Sequence, residues 1–245
     1  MSQPLEAVVG AVAHLGLDYR FLASAYERDA FLDGALTTVT ICLLTIVGSL
    51  AVGVLLAAAL TSGRAWLVRP ARVFVEITRN TPTLVQLYCA FLVLNMLIVR
   101  SLDGASSPIG PFAWVVIVLS LHKGVFHAEA LRAGIEAVPS VTLEAATSLG
   151  FNRRQLLLEV QLPLATRFAL PSLVNNLIDL VKSSAVASAI AVNDITYASI
   201  MIWTQRDNVL ELMVLLLAFF GLLSFAVNLL GRLLEARLRM PGYGH

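Results

Sequence analysis

Five apolar runs, at about residues 34–60, 82–99, 112–131, 169–192 and 209–230, constrain this chain more than any other feature. A helix rises about 1.5 Å per residue, so ~20 apolar residues cross a hydrocarbon core about 30 Å thick. Water is absent from that core, and only helices and closed barrels can satisfy their own backbone N–H and C=O groups there. The runs show no apolar-polar alternation over ten-residue units, which barrel strands would require. The expected fold class is an all-α integral membrane protein with five transmembrane helices. Only 13% of residues are charged, about half the share of a soluble domain. Nearly all of the chain therefore belongs to one bundle and its loops, with a membrane domain at 34–230, a preceding segment at 1–33 and a tail at 231–245.

The charged residues orient the bundle. One side carries Arg64, Arg69, Arg72 and Arg79 in the loop after the first run, Arg132, Arg153, Arg154 and Arg167 after the third, and Arg232, Arg237 and Arg239 in the tail. The other side holds Arg20, Arg28, Arg100 and Arg206 beside Glu27, Asp29 and Asp33. Basic loops stay cytoplasmic, so segment 1–33 is expected outside and the tail inside. The first thirty residues lack the basic head and apolar run of a signal peptide, and insertion is expected to rely on the first span. Cys42 and Cys89 fall within apolar runs and read as small hydrophobes, without a disulfide framework. The net charge of +1 points to no particular partner, and no nucleic-acid partner is expected.

Between the third and fourth runs lies a polar island, residues 139–167, containing Glu144-Ala-Ala-Thr-Ser-Leu-Gly150 and then Val160-Gln-Leu-Pro163. Pro139 stops the third helix, and Ser140 can cap a new one that places Glu144 near its positive end. Leu143, Ala146 and Leu149 then share a face. Gly150 is suited to the left-handed closing conformation, with Phe151 as the accompanying apolar contact. Asn152 and Gln155 stand at capping-box spacing for a further helix, which Pro163 is expected to terminate. The small pair Ala145 and Ala146 leaves a low surface that another protein could approach. The same residues also suit an interfacial helix that only braces the bundle. Elsewhere, Thr81 and Pro82 are expected as N-cap and first residue of the second span.

Polar groups inside the runs are the candidates for a solute path, since ionisable residues are costly in lipid. Asn175, Asp179 and Lys182 stand at i, i+4 and i+7, with Asn176, Asp179 and Ser183 on a neighbouring stripe. His122 and Lys123 lie near mid-depth of the third run. Asp179 and Lys182, three apart, could alternatively only neutralise each other. Gln86 and Tyr88 could line a route or bond to neighbouring helices, and Glu129 with Arg132 reads as a structural pair. His127 reads as a satisfied bundle histidine, because no His, Cys or carboxylate set has metal-ligand spacing. Gly48 and Gly53 suggest close helix approach. No nucleophile with a base and orienting partner emerges, so no catalytic residue is assigned. The Gly-x-x-x-x-Gly-Lys-Ser/Thr phosphate loop is absent from the chain.

Glu144, Ala145, Ala146, Gly150, Leu162 and Pro163 stand at the spacing of the EAA motif of type I ABC importer permease subunits, with Val160 in place of the usual isoleucine. The stretch from Phe74 to Tyr88, FVEITRNTPTLVQLY, resembles the corresponding segment of the polar amino acid (histidine/glutamine/glutamate) permease subfamily. Ala128-Glu129, Arg132-Ala-Gly-Ile135 and Ala137-Val-Pro139 resemble that subfamily's lead into the motif. The resemblance covers roughly residues 34–230 and implies the type I permease fold, with the Glu144–Leu149 helix as a cytoplasmic coupling helix. The ATPase-coupling residues it implies are Glu144, Ala145, Ala146, Leu149, Gly150, Leu162 and Pro163.

It further implies a second permease subunit, identical or paralogous, two ABC ATPase subunits and an extracytoplasmic solute-binding protein, assembled in the lipid of a bacterial cell (inner) membrane. No cofactor is expected on this chain; ATP and magnesium belong to the partner ATPase. For an amino acid substrate, Lys182 or Lys123 with the hydroxyls of Ser183 and Ser184 would meet the carboxylate and Asp179 the ammonium. Asn176, His122 and Gln86 complete the candidate lining. Ser183 departs from the subfamily's Asp or Asn, Ala185 from a common Ser or Thr, and His122-Lys123 from a small polar pair. An extra cation at Lys123 suggests an acidic amino acid as substrate. The alternatives are the same machinery importing a derivative such as an opine, an ion-driven secondary transporter, whose usual internal repeat is not visible, and a membrane-embedded enzyme.

Overall fold

The structure, a computed structural model, describes residues 18–102 and 107–238. Segment 1–17 of the expected N-terminal region, and tail residues 239–245 with Arg239, lie outside the described residues. Every regular element among the described residues is helical. After a short 3-10 turn at Arg20–Leu22 come α1 (Ala25–Thr61), α2 (Ala65–Arg79), α3 (Thr83–Ser101), α4 (Pro111–Glu136), α5 (Ser140–Ser148), α6 (Arg153–Ile190), α7 (Ile195–Arg206) and α8 (Val209–Leu238). Five of these, α1, α3, α4, α6 and α8, are long and apolar enough to cross a membrane.

Several boundaries differ from the sequence expectation. Residues 65–79, read as part of the loop between the first two runs, form α2, whose Ala71, Val75 and Thr78 make a buried stripe. Thr81 does not cap the second span; its hydroxyl donates to Ile77 O at 2.8 Å, closing α2, and the span starts at Thr83. Ser140 is not a cap either, since Pro139 holds the N-cap position without a side-chain bond and Ser140 is already helical. Pro163 does not end its helix. The capping box of Asn152 and Gln155 forms, but the helix it starts runs on into the fourth span through a π turn at Leu156–Gln161. In that wide turn Leu162 N–H bonds to Leu157 O, five residues back. Pro163 follows at once, where the ordinary i−4 bond that proline cannot make has already been given up.

The chain divides into two compact units, and every one of the five spans contributes to both. The first unit gathers the chain through Leu44, Leu87–Val116 and Val181–Ser224. Its core sets Phe21 against Ile202 and Leu212, with Phe31 edge-on to Phe21. Thr38 accepts from Ile195 N–H at 3.0 Å, which hangs the start of α7 on α1. A Cβ at Gly34 would sit 2.8 Å from Asp194 O, so this approach depends on glycine. Asn95 accepts from Trp114 Nε1 at 3.1 Å and from Ser107 at 2.5 Å, tying α3 to α4.

The second unit comprises Thr45–Gln86, Ile117–Leu180 and the chain from Phe225. Lipid is as apolar as leucine, so helices meet there through small residues and close backbones rather than through apolar burial. The buried stripe of α1 in this unit is accordingly Thr45, Ser49, Gly53 and Ala57, while Val47, Val54 and Leu55 face outward. Cβ atoms at Gly48 and Gly53 would lie 2.4 Å from Ser120 Oγ and 2.6 Å from His127 Cβ, so α1 and α4 touch along the expected glycine seam. At Gly134 a Cβ would lie 2.4 Å from Ala165 O, which sets α4 equally close to α6.

Candidate functional site

The island between the third and fourth spans folds as α5, a closing turn and the capped start of α6. Phe151 N–H bonds to Ala146 O at 3.2 Å and Gly150 N–H to Thr147 O at 3.0 Å, the paired closure that needs a left-handed residue between them. Gly150 supplies it with φ +88°. Ala146 turns inward, and α5 packs against the π turn of α6. Glu144, Ala145 and Gly150 are exposed, as are Leu162 and Pro163 after the π turn. Leu149 was expected on the same face as Ala146. It is instead 80% exposed, because the helix has ended at Ser148 and Leu149 takes the C-cap geometry. A bare leucine beside a glycine turn is a projecting apolar tip.

The solute-path candidates divide between the units. In the second, His122 is buried, with Nδ1 3.2 Å from Gln86 Oε1 and Nε2 2.8 Å from Thr83 Oγ1. Gln86 Oε1 can only accept, so the proton sits on Nδ1 and Nε2 accepts from the threonine. The Gln86 amide continues this network to Thr78 O at 2.9 Å and to Thr81 Oγ1 at 2.5 Å. Lys123 is buried on the same turn of α4 and forms an ion pair with Asp179 of α6. Lys123 therefore brings no surplus positive charge, and the suggestion that it selects an acidic substrate loses its basis. Asp179 is exposed and Asn176 half-buried.

In the first unit Lys182 is exposed and Ser183 half-buried. Ser184 is fully buried; its hydroxyl donates to Val181 O at 2.8 Å and receives the Cys42 thiol at 3.4 Å, leaving no face for a solute. His127 is not the satisfied histidine expected: it is fully buried, and neither ring nitrogen has a hydrogen-bond partner among the described residues. Its turn of α4 is pressed against Gly53, which has no side chain to offer.

Sequence reasoning underestimated two clusters. The Glu129–Arg132 pair, at 2.8 Å, extends to Glu136 at 2.6 Å and to Arg79 of α2 at 3.8 Å. These four, with Arg72 and Glu76, line a cavity of about 450 Å³, three cations facing three anions. Only the spacing Glu129, Arg132, Glu136 on one helix hinted at it. In the other unit, Arg206 grips Glu27 through Nε at 2.5 Å and Nη2 at 2.6 Å, which raises the Arg206 pKa, while Asp194 caps α7 by accepting from Tyr197 N–H at 2.8 Å. Burial pushes the Asp194 carboxyl up to about 6. Asp18, by contrast, is lowered to about 2 by its hydrogen bond from Arg20.

Comparisons with known proteins agree with this architecture. Residues 49–240 match the family described as binding-protein-dependent transport system inner membrane component. The octopine transport system permease protein of Rhizobium radiobacter is 32% identical over 209 residues, covering 82% of this chain and 84% of that protein. The glutamine transport system permease protein of Escherichia coli K12 is 29% identical, covering 85% and 93%. A crystal structure of an amino acid ABC transporter with histidines superposes with a TM-score of 0.76 at 28% identity, over 89% of this chain and 98% of that one. This multi-pass chain belongs to the family of binding-protein-dependent transport system inner membrane components.

Proposed function

We propose that this chain forms the translocation path of an ATP-driven importer for polar amino acids, and that α5 is where the drive enters. The observation that carries this is the projecting tip of Leu149 and Gly150, at the end of a nine-residue helix that short turns join to two spans. In this reading the chain spans the cell (inner) membrane with its N-terminus outside. It pairs with a second permease subunit, identical or paralogous. Two separate ATPase subunits hydrolyse ATP with magnesium and clasp α5 around Glu144, Ala145 and Leu149. An extracytoplasmic binding protein delivers solute. The amino-acid class is supported by relatives named for glutamine and by the neighbour named as an amino acid transporter.

Asp179 and Asn176, an exposed carboxylate and a half-buried amide on the part of α6 that lies in the second unit, are the candidates for meeting the ammonium of an amino acid. His122, bonded to Gln86 and Thr83, holds the start of α3 to α4. The relative named for octopine favours a second reading, in which the solute is an amino-acid derivative of the opine class.

Gly150→Val tests the coupling. A left-handed β-branched residue costs about 1–2 kcal/mol, while among the described residues nothing beyond its chain neighbours lies within 4 Å of the added Cβ. The bundle should therefore survive and the docking turn should not. In proteoliposomes with ATPase and binding protein, ATP hydrolysis is expected to persist while amino-acid uptake falls at least tenfold. Unchanged uptake would overturn the assignment. Competition by glutamine, acidic and basic amino acids and an opine then separates the two solute readings.

A further inference from the structure

The helix α2, which links the first two spans, has three distinct faces. Ala71, Val75 and Thr78 are buried. At about 100° per residue, Trp66, Pro70, Val73 and Ile77 fall on a second face, at i, i+4, i+7 and i+11, and all four are exposed. Trp66 is 69% exposed, Val73 57% and Ile77 60%, so this stripe is bare rather than partly packed. The third face carries Arg69, Arg72, Glu76 and Arg79. Arg72, Glu76 and Arg79 are committed to the charged cavity. Arg64 and Arg69 are exposed, lie outside that cavity and form no ion pair among the described residues.

Arg64 precedes the stripe by two residues, and Arg69 lies at its edge between Trp66 and Val73. A helix between two consecutive spans stays on one side of the bilayer. With one face on the protein, an apolar face at right angles to the polar one can rest only at the level where hydrocarbon meets headgroups. Tryptophan favours that level, and arginine extends from it toward phosphate oxygens.

We infer that α2 is a lipid-docking helix: Trp66, Pro70, Val73 and Ile77 seat acyl chains, and Arg64 and Arg69 hold the headgroup of an anionic phospholipid. The occupant is a lipid because the stripe and the two uncommitted cations adjoin, matching one ligand that is apolar at one end and anionic at the other. The inference rests on the membrane reading of the chain and on no particular solute.

The test uses the assembled transporter in nanodiscs, with Val73→Cys labelled by bimane in a Cys89→Ser background, Cys42 being buried. Brominated phosphatidylglycerol and brominated phosphatidylcholine serve as quenchers. Each arginine near an anionic surface is worth about fivefold in local lipid preference. The anionic lipid is therefore expected to quench at roughly one-tenth or less of the mole fraction the zwitterionic one needs. R64Q/R69Q should bring the two curves together, and raising salt on the unaltered arginines should do the same, a control independent of folding of the variant. Quenching by neither lipid would mean that protein, such as the second permease subunit, covers the stripe. Equal quenching would mean hydrocarbon contact without headgroup selection. Either result overturns the proposal, and neither bears on whether the complex imports an amino acid.

Discussion

The ion pair between Lys123 and Asp179 is lopsided, and that asymmetry makes a sharp prediction. Lys123 is 3% exposed, whereas the Asp179 side chain is 66% exposed. Removing one partner of a buried pair costs about 3–5 kcal/mol because a charge is left without its counter-ion. Asp179→Asn leaves the buried ammonium behind. The wet, screened carboxylate end puts the loss at the low end, about 3 kcal/mol, or roughly two powers of ten in the folded population. Lys123→Met removes the buried charge itself and leaves a carboxylate that water can reach, at a cost of about 1 kcal/mol. The double variant should lie close to Lys123→Met.

Thermal unfolding in nanodiscs would rank the midpoints as wild type, then K123M and the double variant together, then D179N well below. A K123M midpoint at or below that of D179N would refute the reasoning, as would a neutral D179N. Uptake adds a second axis. If Asp179 meets the ammonium of the solute, the double variant regains stability without transport; if it only anchors α6 to α4, both return.

Asp194 supplies a pH dependence. Its folded pKa, raised by burial from 3.8 to about 6, means the folded state keeps a proton that the unfolded state has lost, so stability falls as pH rises from 4 to 6 and stays lower above it. That shift corresponds to about 3 kcal/mol, and Asp194→Asn, which still caps, should unfold at a higher temperature than wild type at pH 8 and at a similar one near pH 4; parallel curves would contradict it. Gly53→Ala should cost about 1–3 kcal/mol, since its Cβ would meet His127 Cβ at 2.6 Å, while Gly221→Ala, with nothing beyond its own helix turn within 4 Å among the described residues, should be neutral or stabilising. Equal midpoints for the two would show that the α1–α4 seam has slack. Glu27→Gln should cost about 1–2 kcal/mol by weakening the two-pronged Arg206 contact, seen as a midpoint below the wild type's, a gap that high salt narrows by lowering the wild type alone; no change would mean the pair is idle.

The five spans were legible because length in a bilayer is dictated by hydrocarbon thickness, and Gly150 because a left-handed turn has few other candidates. Which face of a span points inward was not. In α1 both faces are apolar, and what separates them is size, with Ser49, Gly53 and Ala57 inside and Leu43, Val47 and Leu55 outside. Periodicity of hydrophobicity cannot see that distinction. The short α7 escaped notice because it is no longer than 12 residues and its start is fixed by tertiary contacts, Thr38 to Ile195 and Gly34 beside Asp194. Partners of buried charges were equally hidden. Asp179 has a lysine three residues away in sequence, yet the salt bridge joins it to Lys123, 56 residues away, a choice that only helix packing makes.

These contacts converge on α4. Along less than three turns it presents His122 to α3, Lys123 to α6, His127 to the Gly53 notch of α1, and Glu129 to Arg79 of α2. Its last residue, Glu136, stands four positions before α5 begins at Ser140. A force applied at Leu149 therefore reaches α4 directly along the chain and reaches α6 through the packed π turn. Small-residue seams such as Gly53 and Gly134 allow such helices to slide only if their side-chain anchors give way. The anchor least able to do so is Lys123 with Asp179, because a buried ammonium cannot be left behind. Motion driven from α5 should thus carry α4 and α6 together and be taken up between α4 and α1, where shape alone holds the contact and no ion pair among the described residues bridges it.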